Sequence, residues 1–264
     1  MNTIERNKID YGIDAPGIRN GMFVIAVFGG IILGVTNFAE INWLKNTPII
    51  SVLFKLFGIT IGLYGSFMGS YMTYCSRIGK LKTRDILLDK VGKYIKWDEI
   101  NMSLDVGCGK GLLLIGAAKR LSNGRSLGID IWSANDQSNN SQSATIENAA
   151  LAGVSDKIQI QTADARNLPY ENDTIDLVMS HWVVHNIETE TEQIKCLNEM
   201  YRVLKPGGAI ILADIQNVSK YKQHIQKLGA TKIEFDDGGF EAKIMSVLSG
   251  GTYVPQSLIC VKPK

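Results

Sequence analysis

The chain has 264 residues, of which 45% are apolar and 20% charged, so it can build a large core and does not read as intrinsically disordered. Its 28 Lys and Arg against 26 Asp and Glu leave a net charge of +2, which offers no basic coat for nucleic acid. The four cysteines, Cys75, Cys108, Cys196 and Cys260, form no CxxC pair and have no His in metal-ligand spacing; they point to neither a zinc site nor a disulfide framework, and fit a reduced compartment.

Apolar residues gather at the start. Asn20–Ala39 runs twenty residues without a charge, and Leu56–Ser76 is a second uncharged stretch that Thr47–Phe54 extends upstream across Lys55. About 20 helical residues cross the roughly 30 Å apolar core of a bilayer, so both stretches are long enough. Gly30/Gly34, Gly58/Gly62 and Gly65/Gly69 are GxxxG spacings, which permit close helix contact in lipid, while glycine at this density weakens a helix in water. Two transmembrane helices are expected, and a buried hairpin of a soluble protein is the alternative. Lys55 is compatible with a span if it lies near a helix end and snorkels. A cleaved signal peptide fits less well, because no AxA-like site precedes the second stretch.

Basic residues set the expected orientation. Arg6, Lys8 and Arg19 precede the first span, Lys45 and Lys55 lie between, and Arg77, Lys80, Lys82, Arg84, Lys90, Lys93 and Lys96 follow the second. Both termini and the domain that follows should face the cytoplasm, with a short outer turn near Glu40–Pro48. The cluster Arg77–Arg84 would then meet the inner leaflet, or be an ordinary solvated helix start. The expected division is a segment 1–19, a membrane hairpin 20–76, a linker and helix 77–101, and a domain 102–264.

From about Lys93 short apolar runs alternate with helical periods. Strands are predicted at Ser103–Val106, Ser126–Ile131, Ile158–Thr162, Ile175–Ser180, Ala209–Asp214, Thr231–Phe235 and Ser257–Val261. Helices are predicted at Leu112–Leu121, Ser143–Ala152, Glu190–Leu204 and Ser219–Leu228. Such alternation implies an α/β domain with a doubly wound, mainly parallel seven-stranded sheet. The polar run Ser133–Ser143 reads as a solvated connection, with Asp136 or Ser141 capping the next helix.

The informative motif is Leu104-Asp-Val-Gly-Cys-Gly-Lys-Gly111, three glycines at alternate positions between a strand and a helix. They let backbone N–H groups approach a polar or anionic ligand. The spacing departs from the GxGxxG dinucleotide fingerprint, since Leu112 stands where the third glycine belongs. Asp105, beside the loop, would repel a pyrophosphate and suits a ligand carrying a cationic amine. Asp130 ends the second strand twenty-three residues after Gly107, where an acid binds ribose hydroxyls in nucleoside-binding α/β folds. Asp164 follows the third strand. Three acids at successive strand ends beside one glycine loop define a crevice.

On these residues the chain resembles the class I S-adenosylmethionine-dependent methyltransferases, in the small-molecule branch near the ubiquinone/menaquinone and sterol methyltransferases. The matching segments are LDVGCGKG, LGIDIW, TADARNLPYENDTIDLVMS and EMYRVLKPGGAIILADI, within about residues 90–264. The resemblance implies S-adenosyl-L-methionine as cofactor, its methionine part held by Asp105 and the loop Gly107, Cys108, Gly109 and Gly111. It implies Asp130 on the ribose, Ile131 beside the adenine, Asp164 and Ala165 at the adenine amino group, and Ser180 along the methionine side. Lys205-Pro-Gly-Gly208 corresponds to the family's turn into strand five.

Methyl transfer needs positioning and a dry site, and needs a base only if the nucleophile arrives protonated. His181 and His185, in Ser180-His-Trp-Val-Val-His-Asn186, follow the fourth strand, where related enzymes face substrate. Each is a candidate for substrate contact or base, against a packing or capping role. Trp182 suits a cation–π shield of the sulfonium or a place in the core; His224 reads as surface. The fourth strand lacks the Asp/Asn-Pro-Pro-aromatic signature of base amino methylation, and no Pro-Cys nucleophile or carboxylate cluster follows it. No nucleic acid and no metal are therefore expected. The expected protein is a membrane-anchored methyltransferase of a small, apolar or amphipathic, lipid-like substrate; the alternative is a cofactor-binding regulatory or scaffold protein without turnover. Tyr71–Tyr74 and Arg77–Arg84 are either part of a substrate gate or a linker helix.

Overall fold

The computed structural model describes residues 9–38 and 45–264. Arg6, Lys8 and residues 40–44 of the expected outer turn lie outside the described residues, as does Ala39. The chain divides into two compact units. Among the described residues, one is 12–38 and 45–80 with Ala134–Ser138; the other holds 9–11, Leu81–Ser133 and Asn139–Lys264.

The first unit is built on helix α1 (Pro16–Phe38) and helix α2 (Pro48–Tyr74). Each opens on a proline, whose missing N–H costs nothing in a first turn. The two pack through glycines. A Cβ added at Gly29 would lie 2.6 Å from Gly58 O and Gly62 Cα, and one at Gly65 would lie 2.6 Å from Ala26 N. Gly69 leaves room for the Phe23 ring. Gly58, Gly62, Gly65 and Gly69 thus form the contact face of α2, as their spacing implied. On α1 the expected pair is wrong: Gly30 and Gly34 have nothing within 4 Å, and Gly29 makes the contact. Each residue turns a helix by about 100°, so a shift of one position leaves the interface. Val24, Val27, Phe28, Leu53, Leu56 and Leu63 are exposed. Both helices are long and apolar enough to cross a membrane.

A polar cluster closes the same unit. Lys80 is buried and donates to Gly12 O at 2.9 Å and to Asp14 at 3.0 Å. The Asp14 amide donates to Ser76 Oγ, and Asp14 bridges Gln137. The Ala15 amide donates to Asp136 O, and the Ser138 amide to Ile13 O. Two expectations change here. Lys80 is withdrawn from the basic cluster assigned to a lipid surface, because a buried ion pair holds it. Half of the polar run Ser133–Ser143 is not a solvated connection, because it pairs with the chain before α1.

A π turn (Cys75–Gly79) ends the first unit's helix, and α3 (Lys80–Val91) lies from Leu81 onward in the second. There follow β1 (Met102–Val106), α4 (Leu112–Ala118), β2 (Arg125–Asp130), α5 (Gln142–Leu151), β3 (Ile158–Thr162) and β4 (Ile175–His181). The chain ends with α6 (Glu190–Val203), β5 (Leu204–Asp214), α7 (Val218–Lys227), β6 (Thr231–Asp236), α8 (Gly239–Leu248) and β7 (Gln256–Val261). The seven strands run in the order β3-β2-β1-β4-β5-β7-β6. All pairings are parallel except those of β7, which is antiparallel to β5 and β6. The inner strands are apolar on both faces because helices cover both. One face packs Leu104, Val178 and Leu212 with Leu197, Met200 and Ile225 of α6 and α7. The other packs Leu177 and Ile211 with Leu113 of α4 and with Leu87, Leu88, Val91 and Ile100. The stretch expected as a linker and helix thus holds a helix, and its Leu87, Leu88, Val91 and Ile100 supply core. Tyr11 joins a third cluster with Leu112, Ile115, Ala149 and Val154.

Predicted strands and helices agree with the observed ones to within a few residues at each end, with two exceptions. Helix α8 was not expected, and β5 reaches back through Lys205-Pro-Gly-Gly208 by way of a register shift between Ile175 and Leu177. Ser141 is the α5 cap, accepting from the Ala144 amide. β1 lies between β2 and β4, so the crossovers leave it in opposite directions and open a crevice at the carboxyl ends.

Candidate active site

The glycine loop leaves β1 at that crevice. Gly107 (φ +72°) and Gly111 (φ +88°) hold left-handed conformations, and a Cβ at Gly107 would intrude on the Val183 side chain. The Gly107 and Cys108 amides both donate to Ile129 O, at 2.8 and 2.9 Å, which pins the loop to β2. Thr145 Oγ1 donates to Gly109 O and Asn148 Nδ2 to Lys110 O, fixing the outer side. Gly111 supplies no side-chain cap to α4, whose first turn instead gives the Leu114 amide to Asp105.

Two acids support the loop from beneath. Asp105 is buried, accepts the Leu114 amide at 2.8 Å, and is pushed up to about 7 by that burial, with the charge of Asp130 adding to it. Asp130 accepts the Gly109 amide on Oδ2 at 2.8 Å, and on Oδ1 the Trp132 amide at 2.6 Å and Asn140 Nδ2 at 3.3 Å. Ile131 is exposed, while Trp132 (φ +62°) donates its indole N–H to Thr162 Oγ1 across the ends of β2 and β3.

The remaining expected cofactor residues are placed differently. Asp164 is gripped by its neighbour Arg166 through Nε and Nη2, which holds its carboxyl below the usual carboxylate range. Ala165 packs against the core. Cys108 is buried, its thiol pushed well up by that burial, and its Sγ is packed against Gly128 of β2. Ser180 is buried and spends its hydroxyl on Val106 O at 3.1 Å. Asp105, the loop and Asp130 are thus one interlocked group, whereas Asp164 is held by Arg166 at the next strand end.

The turn after β4 carries the histidines. Trp182 takes φ +58°, uncommon for a bulky residue, and its amide donates to Ala213 O at 2.8 Å, which fastens the turn to the end of β5. His181 stacks on Trp182 with ring centroids 4.9 Å apart, and Trp182 meets Tyr253 edge-on at 5.9 Å. His185 Nδ1 hydrogen-bonds Asp214 Oδ1, and the His185 amide donates to Asp214 Oδ2 at 3.1 Å. Asp214 is 1% exposed and His185 14%. Neither Asp214 nor Tyr253 was singled out from the sequence. Asp214 carried a usable signal, as an acid closing the predicted strand Ala209–Asp214. Tyr253 carried none, because its place depends on the unpredicted α8. His224 is at the surface and bonds Asn198 Oδ1.

Chemically, the loop presents backbone free of side chains at its glycines, over a buried carboxylate near neutrality that suits a cationic amine. Beside it the β4 turn offers an imidazole oriented by Asp214 and the aromatic pair Trp182 and Tyr253. Residues 104–212 match the family model described as a methyltransferase domain. The demethylmenaquinone methyltransferase of Symbiobacterium thermophilum is 35% identical over 109 residues, 41% of this chain and 40% of that protein. The ubiquinone/menaquinone biosynthesis C-methyltransferase of Geotalea daltonii is 26% identical over 172 residues, 63% of this chain and 66% of that protein. The chain thus spans less than half of the first of these relatives. The geranyl diphosphate C-methyltransferase of Streptomyces coelicolor shares the fold, with a TM-score of 0.53 at 13% identity over 69% of this chain and 78% of that one.

Proposed function

We propose, for a chain whose residues 104–212 form an S-adenosylmethionine-dependent methyltransferase domain, that the whole protein is a membrane-anchored enzyme that methylates a small, apolar or amphipathic molecule. The observation that carries this reading is the interlock of Asp105, Gly107–Gly111 and Asp130 at the switch point of the sheet. S-adenosylmethionine, when bound, supplies a methyl group already activated by its sulfonium. Asp105 and the side-chain-free backbone of the loop Gly107–Gly111 hold its amino acid part, the cationic amine being what a buried carboxylate near neutrality lacks. Asp130 and Ile131 hold the ribose and the near side of the adenine. Asp164 and Ala165 serve the adenine edge once Arg166 turns away. Val183, packed on Gly107, couples the loop to the turn of His181 and His185, which face the substrate.

Membrane anchoring rests on the length and apolarity of α1 and α2 and on their glycine contact face. A lipid-like substrate is in keeping with that anchor and with the quinone names of both relatives. The basic residues after α2 support a cytoplasmic side for the domain and both termini. The test supplies methyl-labelled cofactor and a host extract of lipids and small metabolites, then identifies labelled product by mass spectrometry. Time-dependent S-adenosylhomocysteine with a labelled product supports the enzyme; cofactor binding without turnover leaves a scaffold or regulatory protein. Resistance of the intact protein to alkaline carbonate extraction supports the spans, and release by carbonate removes them.

A further inference from the structure

The contact between His185 and Asp214 has more in it than a stable turn requires. Asp214 closes β5, is 1% exposed, and accepts two main-chain amides: His185 N–H on Oδ2 at 3.1 Å and Ile215 N–H on Oδ1 at 2.8 Å. Those two bonds alone would satisfy a buried carboxylate that merely ties the β4 turn to β5. The structure adds the imidazole, whose Nδ1 hydrogen-bonds the same carboxylate. A carboxylate only accepts, so Nδ1 carries the proton and the lone pair of the neutral ring falls on Nε2. Nε2 makes no hydrogen bond among the described residues, and the ring keeps 14% exposure at the substrate end of the sheet. This is the arrangement of a base held in one tautomer and one orientation by a buried acid.

We infer that Asp214 is the positioning residue that makes His185 a general base, and that the substrate therefore presents a nucleophile still bearing its proton, a hydroxyl or an acidic C–H, on an apolar body. The inference rests on the methyltransferase reading of the same site. A neutral amine would attack with its lone pair and a thiolate with its charge, and neither needs an oriented base at the moment of transfer. Trp182 and Tyr253, edge to face at 5.9 Å beside this turn, supply flat apolar walls for the body that carries the group. The proton balance is complete. The substrate X–H bond breaks with its proton passing to His185 Nε2, the X electron pair forms the new X–CH3 bond, and the C–S bond pair stays on sulfur. The imidazolium that results is stabilised by Asp214 until it loses its proton to water.

The chain has three histidines, so ring-nitrogen NMR of the ¹⁵N-labelled full-length protein in detergent can be assigned with His181→Gln, His185→Gln and His224→Gln. His185 is expected as the Nδ1–H tautomer with a strongly downfield proton. Asp214→Asn should move that signal strongly upfield or abolish it, since a neutral amide oxygen in the place of Oδ1 is a weaker acceptor than the carboxylate, and an NH2 in that place forces the proton onto Nε2. An Nε2–H tautomer in the unaltered protein, or a signal indifferent to Asp214→Asn, overturns the inference. With methyl-labelled cofactor and the host extract, His185→Gln and Asp214→Asn should each slow turnover by about 100-fold or more while leaving cofactor affinity nearly unchanged. The double variant should be no slower than the slower single one, and His224→Gln should match the parent. A methyl ether or C-methyl product is expected; an N-methyl or S-methyl product, or full turnover by His185→Gln, sinks the base. If the unaltered protein transfers no label, the methyltransferase reading falls, and this inference with it. Should Asp214→Asn not fold, the tautomer of the unaltered protein and the rate of His185→Gln still decide the matter.

Discussion

Asp105 accepts the Leu114 amide at 2.8 Å, so a single buried carboxylate ties the end of β1 to the first turn of α4 across the glycine loop. Burial pushes this group up to about 7. A pKa raised in the folded state favours the protonated form, so its contribution to stability is complete below the ordinary carboxylate range and is lost as pH rises through about 7. The ligand-free protein should melt at lower temperature as pH is raised from about 5 to about 8. The cationic amine of S-adenosylhomocysteine favours the carboxylate, so affinity should rise over the same interval, with proton release near the lower end. Calorimetric titration in buffers of different ionisation enthalpy measures both. Asp105→Asn should flatten both trends; a pH-independent affinity in the parent would remove Asp105 from the amine site.

Asp130 serves the loop and the ligand at once. Asp130→Ala should weaken S-adenosylmethionine binding by roughly 1.5–3 kcal/mol, the loss of a charge-assisted hydrogen bond, which is about 10- to 150-fold. It should also lower the melting temperature, because the Gly109 and Trp132 amides lose their acceptor. Asp130→Asn keeps an acceptor and should recover part of the stability but less of the affinity. Isothermal titration and thermal unfolding of the two variants separate the roles. Unchanged affinity in a folded Asp130→Ala protein would end the ribose assignment.

The glycines of α1 make a paired comparison one residue apart. Gly29→Val places side-chain atoms in the backbone of α2, whereas Gly30→Val meets nothing within 4 Å. In detergent, Gly29→Val and Gly65→Val should lower the temperature at which the full chain loses its monodisperse state, while Gly30→Val and Gly34→Val should leave it near the parent value. Equal sensitivity at Gly29 and Gly30 would mean that α1 is rotated from the packing described.

Tyr11 is 8% exposed among Leu112, Ile115, Ala149 and Val154, although it precedes both long helices. Truncating a buried aromatic ring costs about 3–5 kcal/mol, so Tyr11→Ala should lower the thermal stability of the cofactor-binding unit by a comparable amount. A chain beginning at Ile78 keeps every proposed cofactor contact and should bind S-adenosylmethionine, but it should melt below the full protein for want of the same ring. Differential scanning fluorimetry with and without S-adenosylhomocysteine tests both; a Tyr11→Ala protein as stable as the parent would show that the ring is dispensable.

Most elements of the α/β domain were legible because their signals are local. A strand–glycine–helix turn, an acid closing a strand, and the alternation of apolar runs each lie within a dozen residues, where propensity and steric limits act directly. The acids Asp105 and Asp130 and the loop between Gly107 and Gly111 were found in this way. Helix α8 escaped because the run opens on two glycines after Asp236, leaves Phe240 and Val247 exposed, and buries only Ala242 and Met245, too short a stripe to mark it.

What the sequence determined by itself is the order of elements and the identity of a glycine-loop crevice with acids beneath it, since those follow from residue type and near spacing. Only the tertiary structure decided which groups meet. Asp214 finds His185 because β5 lies beside β4 in register, with Ser180 opposite Leu212 and His181 opposite Ala213. Arg166 closes on Asp164, Gly29 and not Gly30 faces α2, and Tyr11 enters the core beside α4. Each of these depends on strand order, helix rotation or a distant chain segment filling a cavity, and packing energy is a property of the assembled neighbours, which spacing along one chain does not encode.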